Sequence, residues 1–100
     1  MPEFVAEAIV PLDHPCLPGH FPDRPIVPAV LLLELVRDAL RAHLGALRIT
    51  AVRHAKFVSP VSPGETIRLQ IAFDENTGRA RFRCDVANRI AAQGELAYQR

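Results

Sequence analysis

The chain has little of what marks several protein classes. It carries no tryptophan and only two cysteines, Cys16 and Cys84. They lie far apart and form no metal or redox spacing, which predicts two reduced thiols in a cytoplasmic protein. Neither sign of charge dominates: the formal net charge is +1, which makes no electrostatic case for a nucleic-acid partner. Long apolar runs are absent too. The longest, Ala29 to Leu33, is far too short to span a bilayer, so no membrane partner is expected. Met-Pro-Glu-Phe at the start has no basic region and no apolar stretch, so no signal peptide is expected. There is no internal repeat and no low-complexity tail. One hundred residues, 49% of them apolar, predict a single domain over 1–100 with a true core and a high surface-to-volume ratio.

What the chain does have is a concentration of proline. Pro18, Pro22, Pro25 and Pro28 fall within Leu17–Pro28 and make that backbone close to rigid. Each proline also pushes the residue before it out of the helical region. A stiff, non-helical arm therefore presents one imidazole, His20. The arm ends at Pro28, and proline is favoured where a helix begins. Ala29 to Leu44 reads as that helix, with Gly45 as its stop. An imidazole fixed just upstream of a helix N-terminus, whose free N–H groups attract negative charge, is suited to chemistry through an oxyanion. Two other readings of the arm are weaker. His14, Cys16 and His20 lack a fourth ligand at a familiar spacing, so no metal is expected. Pro22, Pro25 and Pro28 have polyproline spacing, but the segment runs straight into a helix.

The helix changes character along its length. Val30, Leu31, Leu32, Leu33, Leu35 and Val36 cover every face of its first two turns, which predicts burial on all sides. Its second half is amphipathic. One charge, Glu34, stands in the apolar half. A carboxylate taken out of water holds its proton more tightly, which is how a general acid is made. The alternative is that Glu34 starts a solvated stripe with Arg37, Asp38 and Arg41.

After Gly45 the period becomes two. Strands are expected at Phe4–Val10, Ile49–Val58, Thr66–Phe73, Arg79–Val86 and Ile90–Tyr98. The alternation in 66–73 and 79–86 predicts a sheet with one buried and one wetter face. Across the hairpin at Asp74–Gly78, matching faces and opposite charges set Arg68 against Asp85. The expected class is α+β: a first strand, the arm, the helix, then an antiparallel meander of four strands curved around the helix. A second subunit would finish the burial.

Pro18-Gly19-His20-Phe21-Pro22, Arg24-Pro25, Pro28-Ala29-Val30-Leu31 and Glu34, fourteen residues after His20, resemble the hot-dog-fold FabA/FabZ dehydratases. Ala55-Lys56-Phe57, Pro60-Val61 and Pro63-Gly64-Glu65 resemble a second block of that family. The short chain is most similar to the ApeI-like dehydratases of aryl polyene clusters. The resemblance implies a (3R)-hydroxyacyl-[acyl carrier protein] dehydratase without a cofactor. His20 would take the C2 proton and Glu34 would assist loss of the C3 hydroxyl. The Ala29 backbone N–H would hold the thioester oxygen, and the carbonyl near Ile26 would fix the imidazole tautomer. Val27, Val30 and Phe57 would help line the acyl tunnel. The implied partner is an acyl carrier protein, with Arg24 and Arg41 as candidate docking cations. The implied assembly is a homodimer, or else a heterodimer, whose sites join His20 of one chain to Glu34 of the other. The chain departs from the family pattern at Ala29, usually glycine, and at Asp38, often glutamine. Asp38 would either repel Glu34 or pair with Arg37 or Arg41. A hot-dog thioesterase and a non-catalytic carrier-binding subunit are the competing readings.

Overall fold

The computed structural model describes residues 1–13 and 26–100. His14, Cys16, His20 and Arg24 lie outside the described residues. Six elements follow one another: β1 (Glu3–Ile9), α1 (Ala29–Leu44), β2 (Arg48–Phe57), β3 (Thr66–Asp74), β4 (Arg79–Val86) and β5 (Arg89–Gln99). Pro28 precedes α1 in extended backbone, and Gly45 closes the helix at φ +92°, where a side chain would be strained. The Gly45 N–H donates to the Arg41 carbonyl at 2.9 Å.

The strands form one five-stranded antiparallel sheet in the order β1-β3-β4-β5-β2. The meander is thus three strands, β3-β4-β5, and not the four expected, because β2 pairs with β5 and β1 takes the place beside β3. The reason lies in the connector from Val58 to Glu65. Its prolines and Gly64 do not close a hairpin; they carry the chain across the end of the sheet. Val58 N–H donates to the Ala91 carbonyl at 2.8 Å, and Gly64 N–H reaches the Val10 carbonyl at 2.8 Å on the far side. Between them Val61 is buried and its carbonyl accepts the Val27 N–H at 2.8 Å. An ion pair between Arg89 and Glu65 at 3.1 Å pins the crossing. The Ser62 backbone N–H, followed by Arg89, holds the Glu65 carboxyl below its ordinary range.

The alternating strands behave as their patterns require. Ile67, Leu69, Ile71 and Phe73 of β3 are buried, as are Ala80, Phe82, Cys84 and Val86 of β4. Arg68 stands opposite Asp85, with Glu7 of β1 on its other side. At the turn, the Asp74 carboxylate accepts the Asn76 N–H at 2.9 Å and its carbonyl accepts that of Gly78. Leu31, Leu32, Val36 and Leu40 of α1 complete the core against the curved sheet, the expected hot-dog arrangement of one helix wrapped by strands. At the other end of α1, His43 stacks on Phe4 with ring centroids 4.1 Å apart, tying the helix to β1.

Burial on all sides of the first helical turns does not hold within one chain. Ala29 is exposed and Val30 is 62% exposed. The sheet curves past only one side of α1, and β2, the strand nearest that open side, is itself an edge.

Candidate active site

The site region grows from the N-terminus of α1. Pro28 has no N–H and no capping side chain, and no acidic residue sits in the first turn. Among the described residues, then, nothing compensates the positive end of the helix. Leu31 and Leu32 N–H groups turn back to the Pro28 carbonyl, at 3.0 and 3.4 Å. The Ala29 N–H has no acceptor within the helix, because it stands at the first helical position. Upstream, the peptide between Ile26 and Val27 is oriented by the bond from Val27 to Val61. In a trans peptide the carbonyl points opposite the N–H, so the Ile26 carbonyl faces away from the connector.

Two cavities flank this helix end. One, of about 230 Å³, is lined by Ile26, Val27, Ala29, Leu32, Phe57 and the connector residues from Val58 to Val61. The other, of about 220 Å³, is lined by Val30, Leu33, Glu34, Arg37, Ile49, Val52 and Leu96. The structure thus brings Ile26, Val27, Ala29 and Phe57 together and sets Val30 and Glu34 apart from them on another face of α1. Glu34 is neither fully buried nor part of a solvated stripe. It is half-buried in an apolar wall, with Arg37 as the other charge there. Asp38 is exposed and pairs with Arg37 at 3.1 Å. Arg41 stands twelve residues beyond Ala29, about 18 Å along the helix, and its Nε donates to the Leu47 carbonyl at 2.9 Å.

Several lining residues were not among the site residues expected from the sequence. Val61 and its neighbours reach the first cavity only because the β2–β3 connector crosses over. Ile49, Val52 and Leu96 reach the second only because β2 lies beside β5. A third cleft, of about 490 Å³ between Arg68, Arg83, Asp85 and Arg89, contains none of the predicted site residues.

A single helix wrapped by a curved antiparallel sheet, its uncapped N-terminus following Pro28, defines the hot-dog class of proteins. The family model described as "ApeI-like: ApeI dehydratase" matches residues 2–95. The chain belongs to the ApeI-like dehydratase family. It is 33% identical over 105 residues to the 3-hydroxyacyl-[acyl-carrier-protein] dehydratase FabZ of Chloroflexus aggregans, covering 94% of this chain and 73% of that protein. It is also 33% identical over 107 residues to FabZ of Chlamydia muridarum, covering 94% of this chain and 70% of the relative. Among solved structures, the dehydratase heterocomplex ApeI:P from Xenorhabdus doucetiae superposes with a TM-score of 0.87 at 27% identity, covering 98% of this chain and 88% of that one.

Proposed function

We propose that this protein is a hydro-lyase that dehydrates (3R)-hydroxyacyl chains carried on an acyl carrier protein. The observation that carries the reading is the N-terminus of α1, which has no side-chain cap and no acid in its first turn and opens at Ala29 onto a cavity beside Phe57. A C2 proton next to a thioester is weakly acidic, so its removal needs a placed base and a stabilised oxyanion. The Ala29 N–H, assisted by the helix dipole, is the donor to the thioester oxygen. His20 is the base that takes the C2 proton, its tautomer set by the Ile26 carbonyl. As the C2–C3 double bond forms, the C3 hydroxyl leaves as water with a proton supplied through Glu34. The product is the trans-2-enoyl thioester. Val27, Val30 and Phe57 line the path of the acyl chain.

The two cavities favour a site assembled from two subunits, one supplying the arm and Ala29, the other Glu34. A homodimer does this, and so does a heterodimer of the kind described for the Xenorhabdus doucetiae complex. Arg24 and Arg41 are proposed to steer the carrier protein. Arg41 already bonds to Leu47 and lies far from Ala29, so its share is the smaller. At low salt Arg24→Glu should slow turnover of carrier-bound substrate.

Incubation with short 3-hydroxyacyl thioesters tests the chemistry. The parent should give the enoyl thioester and no free acid, whereas His20→Ala should lose at least ~100-fold in rate. Release of free acid, with His20→Ala fully active, would instead identify a thioesterase.

A further inference from the structure

Guanidiniums gather where the β4–β5 turn ends the sheet. The cleft of about 490 Å³ there is lined by Arg68 of β3, Arg83 of β4 and Arg89 of β5, with one carboxylate, Asp85, among them. Thr66 and Asn88 add a hydroxyl and an amide. Three cations thus line the cleft against one anion. The Arg83 Nε donates to Asp85 at 3.1 Å. Arg89 is held from behind through a single nitrogen, Nη2, which donates to Glu65 and to the Pro60 carbonyl, each at 3.1 Å. Arg68 is exposed and makes no ion pair among the described residues, although the register sets Glu7 and Asp85 on either side of it.

Strand periodicity builds the cluster. Ile67 and Leu69 turn inward and are buried, so Arg68 between them faces out, and Arg83 does the same between Phe82 and Cys84. Arg83 stands opposite Gln70, two residues from Arg68, which makes the two guanidiniums diagonal neighbours on one face. Arg89 closes on them from the end of the sheet. Cations set this close repel one another, and an anion between them relieves the repulsion. A guanidinium fork matches the oxygens of a phosphoryl group two at a time. Asp85 takes only the Nε of Arg83, and Glu65 and Pro60 take only Nη2 of Arg89. A water has a share of ~30 Å³ in the liquid. A phosphoryl group is a few times larger, so the cleft has room for two joined together.

We propose that this cleft binds a small ligand bearing a diphosphate group, with Arg68 and Arg83 gripping its oxygens and Arg89 completing the third side. The site shares a wall with the cavity at Ala29: Pro60 lines that cavity, and its carbonyl accepts from Arg89. The argument stands on the charge and shape of the cleft and is tested without an acyl substrate, so failure of the dehydratase assay leaves it untouched.

Titration of the full chain with inorganic pyrophosphate at ~0.05 M NaCl, followed by backbone amide NMR shifts, tests it. Shifts should centre on Arg68, Arg83, Asn88 and Arg89, with pyrophosphate binding at least ~10-fold tighter than orthophosphate. Arg68→Gln and Arg83→Gln should each weaken pyrophosphate at least ~10-fold, whereas Arg48→Gln, on β2, should leave it unchanged. Arg68 is exposed, so its variant should fold; Arg68→Lys, which keeps the charge and loses the fork, is the second variant and should also weaken binding. A parallel titration with ADP separates the sources. Binding as tight as pyrophosphate marks a nucleotide-type ester as the ligand, and binding of pyrophosphate alone marks the free anion. Equal affinity for orthophosphate and pyrophosphate, or binding indifferent to Arg68→Gln and Arg83→Gln, would mean an adventitious ion only and would overturn the proposal, as would no saturable shift by ~1 mM pyrophosphate.

Discussion

Cys84 shows how burial alone can silence a side chain. Its thiol is fully buried in β4 beneath α1, and that burial, followed by the charge of Asp85, pushes its pKa up to about 12. It therefore remains a protonated, inert thiol at neutral pH. The unfolded chain loses this proton near pH ~8.5. Above that pH the native state holds a proton that the unfolded state has released, so stability is complete below it and falls as pH rises, by up to ~1.4 kcal/mol per pH unit. Urea unfolding at pH ~8 and ~10 should lose more stability in the parent than in Cys84→Ala. Equal losses would assign the alkaline slope to other groups, such as Tyr98, which burial also raises. Glu34 was visible in the sequence as the one charge in an apolar stretch, but spacing left two environments open. Only packing against Ile49, Val52 and Leu96, residues distant in sequence, places it in a half-buried wall. The same holds for Asp38, whose partner among Arg37 and Arg41 depended on rotamers and proves to be Arg37.

At the scale of the element, local pattern was a good guide. The helix bounds and those of β4 coincide with the expectation, and the other strands differ by one residue at their ends. Pairing was another matter. β2 carries two irregularities, between Ile49 and Ala51 and between Val52 and His54. They shift its backbone so far over β5 that a Cβ on Gly94 would stand 2.3 Å from the His54 carbonyl oxygen and 3.0 Å from the Phe82 ring. In the sequence Gly94 is simply one residue of the expected last strand. The structure makes it the point where two strands and an aromatic ring converge. Gly94→Ala should therefore destabilise the protein by about 1–3 kcal/mol through overpacking and loosen the β2–β5 pair. A thermal melt checks this, with a fall of several degrees expected, ~4–8 °C per kcal/mol for a domain of this size. An unchanged melting temperature would mean that β2 shifts aside at no cost.

For the whole molecule, the division of predicted site residues between two cavities bears on assembly. His20→Ala and Glu34→Ala proteins, each inactive alone, can be unfolded and refolded together in equal amounts. If sites are shared, a mixed dimer has one doubly damaged site and one intact site. About a quarter of parental activity should return with random assortment. Mixed dimers that form but stay inactive would place both residues within one chain. Legible in the sequence alone were the elements, the inward and outward faces of the strands, the Arg68–Asp85 register and the proline at which the helix begins. Each follows from a local cause: proline geometry, residue periodicity, or charges set across a short turn. Tertiary structure decided that β2 lies beside β5, that the connector roofs one cavity, and that Glu34 opens into another. Those outcomes depend on contacts between residues tens of positions apart. A two-residue period says which face of a strand is buried, but not which neighbour covers it.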